Sequence, residues 1–166
     1  TGGTGYIGSH TVVELQNAGY EVIIIDNLAN SSADVVDNIE KVTGIRPTFE
    51  KLDCLDFQGL DNLFTKYAGI KAIIHFAASK AVGESVEKPL LYYRNNLVSL
   101  INLLELMPKH GVEGIVFSSS CTVYGQPDEL PVTEKAPTKK AESPYGNTKQ
   151  INEEIVRDVV TSGAPI

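Results

Sequence analysis

Thr1-Gly-Gly-Thr-Gly-Tyr-Ile-Gly8 opens the chain and decides its fold class. Gly2, Gly5 and Gly8 within it have the spacing G-x-x-G-x-x-G. In a turn that binds a dinucleotide, one glycine permits positive φ. A second lets the backbone approach a pyrophosphate, and a third lets the following helix pack against the sheet. Free N–H groups at the start of that helix attract phosphate. A flexible loop can share this spacing, so its weight depends on the elements that follow.

Short apolar strands alternate with helices along the rest of the chain. The pattern predicts strands at Glu21–Ile25, Thr48–Leu52, Lys71–Phe76 and Gly114–Phe117, and helices at Ser9–Ala18, Asp34–Thr43, Phe57–Tyr67, Pro89–His110 and Pro144–Ser162. Strands rich in Val and Ile between helices indicate βαβ units and a parallel sheet covered on both faces. The predicted fold class is therefore α/β with a doubly wound parallel sheet. Three prolines and many charges in Gln126–Ala141 predict a loop there.

Both ends of the sequence are unusual for such a sheet. The chain opens within a glycine turn, which normally follows a strand, and stops at Gly163-Ala-Pro-Ile166, where a new strand is expected. The strand before the glycine turn is central in a doubly wound fold. We therefore expect residues 1–166 to be one dinucleotide-binding domain, truncated at both ends, that lacks its first strand and a substrate domain.

Composition narrows the function. The 166 residues are 42% apolar and 21% charged, which is typical of a globular domain. A net charge of −7 argues against nucleic acid and against an anionic membrane as partners. No uninterrupted apolar run approaches the roughly 18 residues of a membrane span. Cys54 and Cys121 are too few for a disulfide scaffold, so we expect free thiols and a cytoplasmic protein.

Asp26 strengthens the dinucleotide interpretation. It lies 18 residues after Gly8, at the end of a predicted strand, where an acid accepts hydrogen bonds from the adenosine ribose. A carboxylate there repels a 2′-phosphate, so the pattern favours NAD over NADP. The alternative role is a turn or capping acid, because Asn27, Asn30 and Ser31 follow closely.

Tyr145 and Lys149 form a Y-x-x-x-K pair on the last predicted helix, which Pro144 begins. An ammonium beside a phenol lowers the phenol pKa and permits general acid–base chemistry. Tyr67 and Lys71 have the same spacing, but Gly69 between them marks a helix-to-strand junction, so we assign that pair no chemistry.

Three serines follow the last predicted strand, at the sheet edge where ligands bind in open α/β folds. Ser118 or Ser119 suits a backbone cap. Ser120 is the serine that we expect to contact substrate and relay a proton.

Several stretches together resemble the extended short-chain dehydrogenase/reductase family, and most closely its nucleotide-sugar epimerases. They are TGGTGYIGSH, IIDNLANS, HFAASKAVGES, YYRNN, FSSSCTVYG and SPYGNTK, and they span almost the whole chain. The resemblance implies a Rossmann domain that binds NAD and a smaller substrate domain beyond it. Related dehydratases carry an Asp-Glu pair after the active-site serine or threonine. Cys121-Thr122 stands there instead, so the resemblance argues against dehydration.

The resemblance also implies roles for individual residues. Ser120, Tyr145 and Lys149 would be catalytic, and Lys80, Ser120 and Tyr145 would contact substrate. The cofactor would contact Gly2, Gly5, Tyr6, Ile7, Gly8, Asp26, Asn27, Leu28, Ala29, Asn30, Ser31, Asp53, Cys54, Phe76, Ala77, Ala78, Ser79, Lys80, Asn95, Tyr145 and Lys149. No metal is expected. Lys80, Asn95 and Cys54 also have ordinary roles open to them, as a surface lysine, a helix-face amide and a core thiol.

The reaction implied is epimerisation at C4 of a UDP-hexose, UDP-glucose or UDP-galactose, through a 4-keto intermediate. A UDP-N-acetylhexosamine as substrate, or a non-catalytic NAD-binding protein, remain alternatives. The family also implies a homodimer. We expect residues 1–166 alone to be inactive, because the substrate domain lies outside them.

Overall fold

The computed structural model describes all residues from Thr1 to Ile166. It contains four strands: β1 (Ile23–Asp26), β2 (Thr48–Lys51), β3 (Ala72–His75) and β4 (Gly114–Phe117). It contains six α-helices: α1 (Tyr6–Asn17), α2 (Asp34–Thr43), α3 (Phe57–Lys66), α4 (Val82–Glu87), α5 (Pro89–His110) and α6 (Pro144–Thr161). A 3₁₀ helix spans Cys121–Tyr124. The order of elements is the predicted βαβ alternation, and the fold class is confirmed.

The structure differs from the expected elements at three places. Helix α1 begins at Tyr6 rather than Ser9, because Gly8 belongs to the helix and allows its first turn to press against the glycine turn. Helix α4 was not predicted, since its six residues are too few to establish a period. The 3₁₀ helix was missed for the same reason, being only four residues long.

The strands form two parallel ladders rather than one continuous sheet. β1 pairs with β2, and β3 pairs with β4. The opening residues join the two ladders. The Thr1 amino group donates to the Ile74 carbonyl at 2.8 Å, and the Gly2 N–H donates to the Ile25 carbonyl at 2.8 Å. The glycine turn therefore lies between β1 and β3, at their carboxyl ends.

Helices cover both faces of this arrangement. Successive side chains of a strand point to opposite faces, and the two central residues of β1 show it. Ile24 packs with Val12 of α1 and Ile39 of α2, whereas Ile25 belongs to the larger core formed around α3 and α5. The doubly wound architecture follows from this two-sided burial.

Helix α5 forms the centre of the larger core. It buries Leu100, Leu103, Leu104 and Met107 on one side. Lys109 and His110 in its last turn both reach Asp61 of α3. No helix of the protein combines the length and apolar composition that crossing a membrane requires.

His75 ends β3 inside the core, with 2% of its surface exposed. Its Nδ1 lies 2.7 Å from the Thr1 hydroxyl, and its ring stacks on Phe117. Burial lowers the pKa of His75 to about 3, and the positive charges of the Thr1 amino group and Lys149 act in the same direction. His75 is therefore a neutral packing residue.

Acid should destabilise the fold through His75. Between pH 6.5 and pH 3 the unfolded chain binds a proton at His75 that the folded chain does not bind. Lowering the pH through this range therefore favours the unfolded state and reduces the stability of the fold. We expect the free energy of unfolding to fall by about 2 kcal/mol through His75 when the pH is lowered from 7 to 5. Urea unfolding at both pH values should show that loss in the wild type and in a control, exposed His10→Gln. A His75→Gln variant that loses as much stability as the wild type would contradict the assignment.

Candidate functional site

One cavity, of about 380 Å³, lies over the carboxyl ends of the strands. It is lined by nearly all of the residues that the sequence analysis selected. Leu28 and Ser31 are the two that do not reach it, although both contact Asp26, which does. Five further residues line it that the sequence analysis did not select: Ile25, Leu52, Ser99, Ser118 and Ser119.

The glycine turn forms one wall of the cavity. Gly2 has φ +68°, and a Cβ on it would lie 2.7 Å from the Ala77 nitrogen. A Cβ on Gly8 would collide with the Gly2 carbonyl oxygen. Gly3, which sequence reasoning passed over, also has no room for a side chain, since its Cβ would lie 2.7 Å from Ile24. A side chain on Gly2 or Gly8 would therefore not fit in this wall.

Helix α1 points its N-terminus into the same wall. Gly5 is its N-cap and supplies no side-chain acceptor for the first turn. The N–H groups of a first turn lack partners within the helix. Together with the positive end of the helix dipole, they suit a phosphate group. Tyr6 and Ile7, at the helix start, are exposed and line the cavity.

Asp26 organises the turn that follows β1. Its side chain is 8% exposed and accepts from the backbone N–H of Thr4 at 3.2 Å and of Leu28 at 2.9 Å, and from the Ser31 hydroxyl at 3.2 Å. The turn residue Leu28 has φ +60°, a conformation unusual for a non-glycine residue. Asp26 thus serves as the turn acid that its neighbours suggested, and its side chain still faces the cavity.

Polar residues next to Asp26 line the same end of the cavity. Asn27 donates to Asp53 at 3.0 Å, and Asp53 accepts from the Leu55 N–H at 2.8 Å. Cys54 is buried beside them, and burial raises the pKa of its thiol to about 11. The thiol therefore stays protonated and behaves as a small core group.

Lys149 lies at the opposite end of the cavity. Helix α6 begins as predicted, because the Ser143 hydroxyl accepts from the Gly146 N–H and Pro144 takes the first helical position. Lys149 is 4% exposed, and its ammonium donates to the Ser118 carbonyl at 2.7 Å. The ammonium lies 6.0 Å from the Tyr145 ring centroid. Burial lowers the pKa of Lys149 to about 8, so at pH 7 it is still mainly protonated.

The capping prediction for the three serines is wrong. Ser120, rather than Ser118 or Ser119, caps the backbone, since its Oγ accepts from the Thr122 N–H at 3.3 Å and the Thr122 hydroxyl at 3.0 Å. Ser119 donates to the carboxylate of Glu153 on α6. Ser118 presents its carbonyl to Lys149. All three line the cavity together with Tyr145.

The second Y-x-x-x-K pair has no part in this site. Tyr67 lies just after the end of α3, and its hydroxyl donates to Glu50 at 2.5 Å. Gly69 has φ +96°, which turns the chain away from helical geometry before Lys71. The geometry agrees with the assignment of no chemistry to this pair.

Asn96 is the main residue that sequence reasoning missed. It is 1% exposed, and its side chain pairs with both the N–H and the carbonyl of Ser79, at 2.8 and 2.9 Å. It also donates to the Thr148 hydroxyl on α6 at 3.0 Å. Asn95, which the resemblance selected, donates to the Ser79 hydroxyl at 2.9 Å. The asparagine doublet in the middle of the helix was the available signal.

Asn96 holds Ser79 at one end of the short segment Ser79–Ala81, and Tyr92 holds its other end. Its hydroxyl accepts from the Ala81 N–H at 3.1 Å and donates to Glu84 at 2.8 Å. Lys80 lies between the two anchored residues, and its side chain is exposed at the cavity. Helix α5 therefore positions the backbone on which Lys80 is carried.

Replacing Asn96 by leucine should destabilise the protein by about 3 kcal/mol, because the Ser79 N–H and carbonyl would lose their partner and the Thr148 hydroxyl would keep only its bond to the Tyr145 carbonyl. Leucine has nearly the same volume, so little cavity is created. Urea unfolding measures the change. Exposed Asn62 accepts from Gln58 on α3, and Asn62→Leu is the matched control, expected to cost little. Equal stabilities of the two variants would show that Asn96 does not hold the Ser79 backbone against α6.

Comparison with known proteins gives a consistent result. The family model described as GDP-mannose 4,6 dehydratase matches residues 1–163. The chain is 52% identical over 162 residues to UDP-glucose 4-epimerase of Bacillus subtilis, covering 98% of this chain and 47% of that protein. It is 51% identical over 165 residues to UDP-glucose 4-epimerase of Homo sapiens, covering 96% of this chain and 47% of that protein. The chain thus spans about half the length of the curated relatives it matches.

Solved structures agree with the sequence relatives. The crystal structure of UDP-glucose 4-epimerase from Bifidobacterium longum, in complex with NAD⁺ and UDP, superposes with a TM-score of 0.94 at 47% identity. The match covers 97% of this chain and 48% of that one. The UDP-Glc/GlcNAc 4-epimerase from Campylobacter jejuni superposes with a TM-score of 0.89 at 38% identity, covering 97% and 48% of the two chains.

Proposed function

Since the chain belongs to the family described as GDP-mannose 4,6 dehydratase, we propose that its protein is an NAD-dependent enzyme that epimerises a UDP-hexose at C4. UDP-glucose and UDP-galactose are the proposed substrate pair. The observation that carries the proposal is one cavity with a side-chain-free glycine wall at one end and Tyr145, Lys149 and Ser120 at the other. The identity of 52% to a UDP-glucose 4-epimerase supports it.

The residues present fit NAD. The wall of Gly2 and Gly8 leaves room for a pyrophosphate against the backbone, and the uncapped start of α1 offers it N–H groups. Asp26 presents a carboxylate that suits a ribose diol and disfavours a 2′-phosphate. Asn27, Asp53 and Cys54 would surround the adenosine end.

The mechanism assigns a role to each residue at the other end. Tyr145 would accept the proton of the sugar 4-hydroxyl, with Ser120 hydrogen-bonded to the same oxygen. The Lys149 ammonium, held by the Ser118 carbonyl, would stabilise the phenolate electrostatically. NAD, when bound, would supply a reversible acceptor for the C4 hydrogen with its electron pair. Tyr145 would return its proton to the C4 oxygen when the 4-keto sugar is reduced on the opposite face. The cycle is redox-neutral, so no second substrate is consumed.

Epimerisation is favoured over dehydration, although the family description names a dehydratase. Elimination of water needs a carboxyl group near the sugar, after the serine of the site. Cys121 and Thr122 occupy that position, and neither side chain carries a carboxyl group.

A UDP-N-acetylhexosamine is the second proposed substrate. The solved structure from Campylobacter jejuni, a UDP-Glc/GlcNAc 4-epimerase, is the observation that favours it. In this proposal residues 1–166 form the nucleotide-binding domain and the residues that select the sugar come from a separate substrate domain. Residues 1–166 by themselves would then be inactive.

We also propose a homodimer formed through α5. Leu91, Val98 and Ile101 are exposed on one side of this helix, at spacings that place them on a common face. Such a stripe suits a second copy of the same helix in an antiparallel bundle. The unpaired cysteines support a cytoplasmic location.

The test of the function uses the whole protein. Denaturing release should yield about one NAD per chain, and UDP-galactose should be converted to UDP-glucose without added oxidant. UDP-N-acetylgalactosamine given in parallel measures the second substrate. Bound NAD with no turnover of either sugar would favour a non-catalytic NAD-binding protein and overturn the proposal.

A further inference from the structure

The loop Gln126–Ala141 connects two parts of the proposed catalytic set. Ser120 caps the 3₁₀ helix before the loop, and Tyr145 lies in the first turn of α6 after it. How the base of this loop closes therefore affects the placement of the Ser120 hydroxyl relative to the Tyr145 phenol. The Lys139 N–H donates to the Val123 carbonyl at 3.1 Å and joins the two sides of the base.

Gln150 holds this base through three backbone groups. It is half-buried on α6, next to Lys149. Its Nε2 donates to the Val123 carbonyl at 2.9 Å and to the Lys139 carbonyl. Its Oε1 accepts from the Ala141 N–H at 3.1 Å. One side-chain amide thus ties both sides of the loop base to the helix that carries Tyr145 and Lys149.

The connection to Ser120 is short. The Val123 N–H donates to the Ser120 carbonyl at 3.2 Å, so the residue that Gln150 holds is itself bonded to Ser120. The contact between the 3₁₀ helix and α6 is also close, because a Cβ on Gly146 would lie 3.2 Å from the Thr122 side chain. A shift of Val123 would therefore move Ser120 against α6.

We propose that Gln150 is a positioning residue for the epimerisation, which sets the Ser120 hydroxyl against Tyr145 by tying the 3₁₀ helix and the loop end to α6. This inference rests on the proposed function. A displacement of about 1 Å can cost two orders of magnitude in rate, whereas the loss of three hydrogen bonds still leaves a protein of ordinary stability folded. The effect should therefore appear in kcat before it appears in folding.

Two variants of the whole protein test this role. Gln150→Leu removes all three bonds at similar volume, and Gln150→Glu keeps an acceptor for Ala141 but removes both donors. Both should lower kcat at least about tenfold, with the KM for UDP-galactose within about threefold of wild type and NAD content unchanged. Gln58→Leu, which removes an exposed glutamine that bonds Asn62 on α3, is the matched control and should keep wild-type kcat.

The outcomes separate this inference from the function on which it rests. An inactive wild type would overturn the proposed function itself. An active wild type with kcat per bound NAD unchanged in both Gln150 variants would overturn the positioning role. Loss of activity only in proportion to lost NAD or lost folded protein would also overturn it, because that is the signature of a purely structural residue.

Discussion

Tyr145→Phe should abolish epimerisation while NAD remains bound. The variant removes one oxygen from a half-buried ring and leaves the Lys149 bond to the Ser118 carbonyl in place. Without the phenol no group in the first turn of α6 can exchange a proton with the 4-hydroxyl. General acid–base catalysis contributes about 10²- to 10⁴-fold, so we expect kcat to fall by about 10³-fold.

The chain contains its own control for this substitution. Tyr67 and Lys71 repeat the spacing of Tyr145 and Lys149, but the Tyr67 hydroxyl donates to Glu50, away from the cavity. Tyr67→Phe should lose that bond and leave kcat unchanged. Both variants are assayed in the whole protein with NAD content measured in parallel. Turnover by Tyr145→Phe within about tenfold of wild type would remove the phenol from the mechanism.

The order of elements could be predicted because each carries a strong local signal. Helix α5 shows apolar residues at helical spacing between Pro89 and Gly111, and its observed bounds are the predicted ones. The start of α1 could not be predicted in the same way. Glycines favour a loop when read locally, and only packing against the Gly2 carbonyl makes Gly8 a residue of the helix.

The end of the cavity that holds Tyr145 and Lys149 could be predicted in part from the sequence. Tyr145 and Lys149 could be placed on one face of a helix from their spacing alone. The environment of Lys149 could not, because its burial and its bond to Ser118 depend on contacts between α6 and the end of β4. The resemblance selected Asn95 but not Asn96, although Asn96 makes more of the buried bonds. An amide that bonds backbone across a fold has no period or motif to reveal it.

The glycine turn was predicted from three positions, and the structure adds Gly3, which does not line the cavity. Gly2 and Gly8 have no room for a side chain, and Gly3 is equally restricted by Ile24. Gly5 is less restricted, since its Cβ would lie 3.2 Å from the Gly2 carbonyl oxygen. The motif spacing therefore indicates the wall correctly but does not rank its members.

Among substitutions that add one methyl group, Gly8→Ala should weaken nucleotide binding the most. Its Cβ would collide with the Gly2 carbonyl oxygen. Gly2 cannot retreat, because it has φ +68° and lies against the backbone of Ala77. The collision can be relieved only if α1 moves away from the turn. That movement would carry the N–H groups of the first turn of α1 away from the proposed phosphate position. We expect a loss of stability of about 2 kcal/mol and NAD affinity reduced by at least about 100-fold.

Gly83→Ala is the matched control, because Gly83 lies within α4 and a Cβ there meets no atom within 4 Å. Alanine is the better helix former, so this variant should be as stable as the wild type or slightly more stable. NAD titration and urea unfolding of the whole protein compare the two variants. If Gly8→Ala retained wild-type affinity for NAD, the turn and the start of α1 would not hold the pyrophosphate. The cofactor would then have to bind through the polar residues around Asp26 and Asp53 alone.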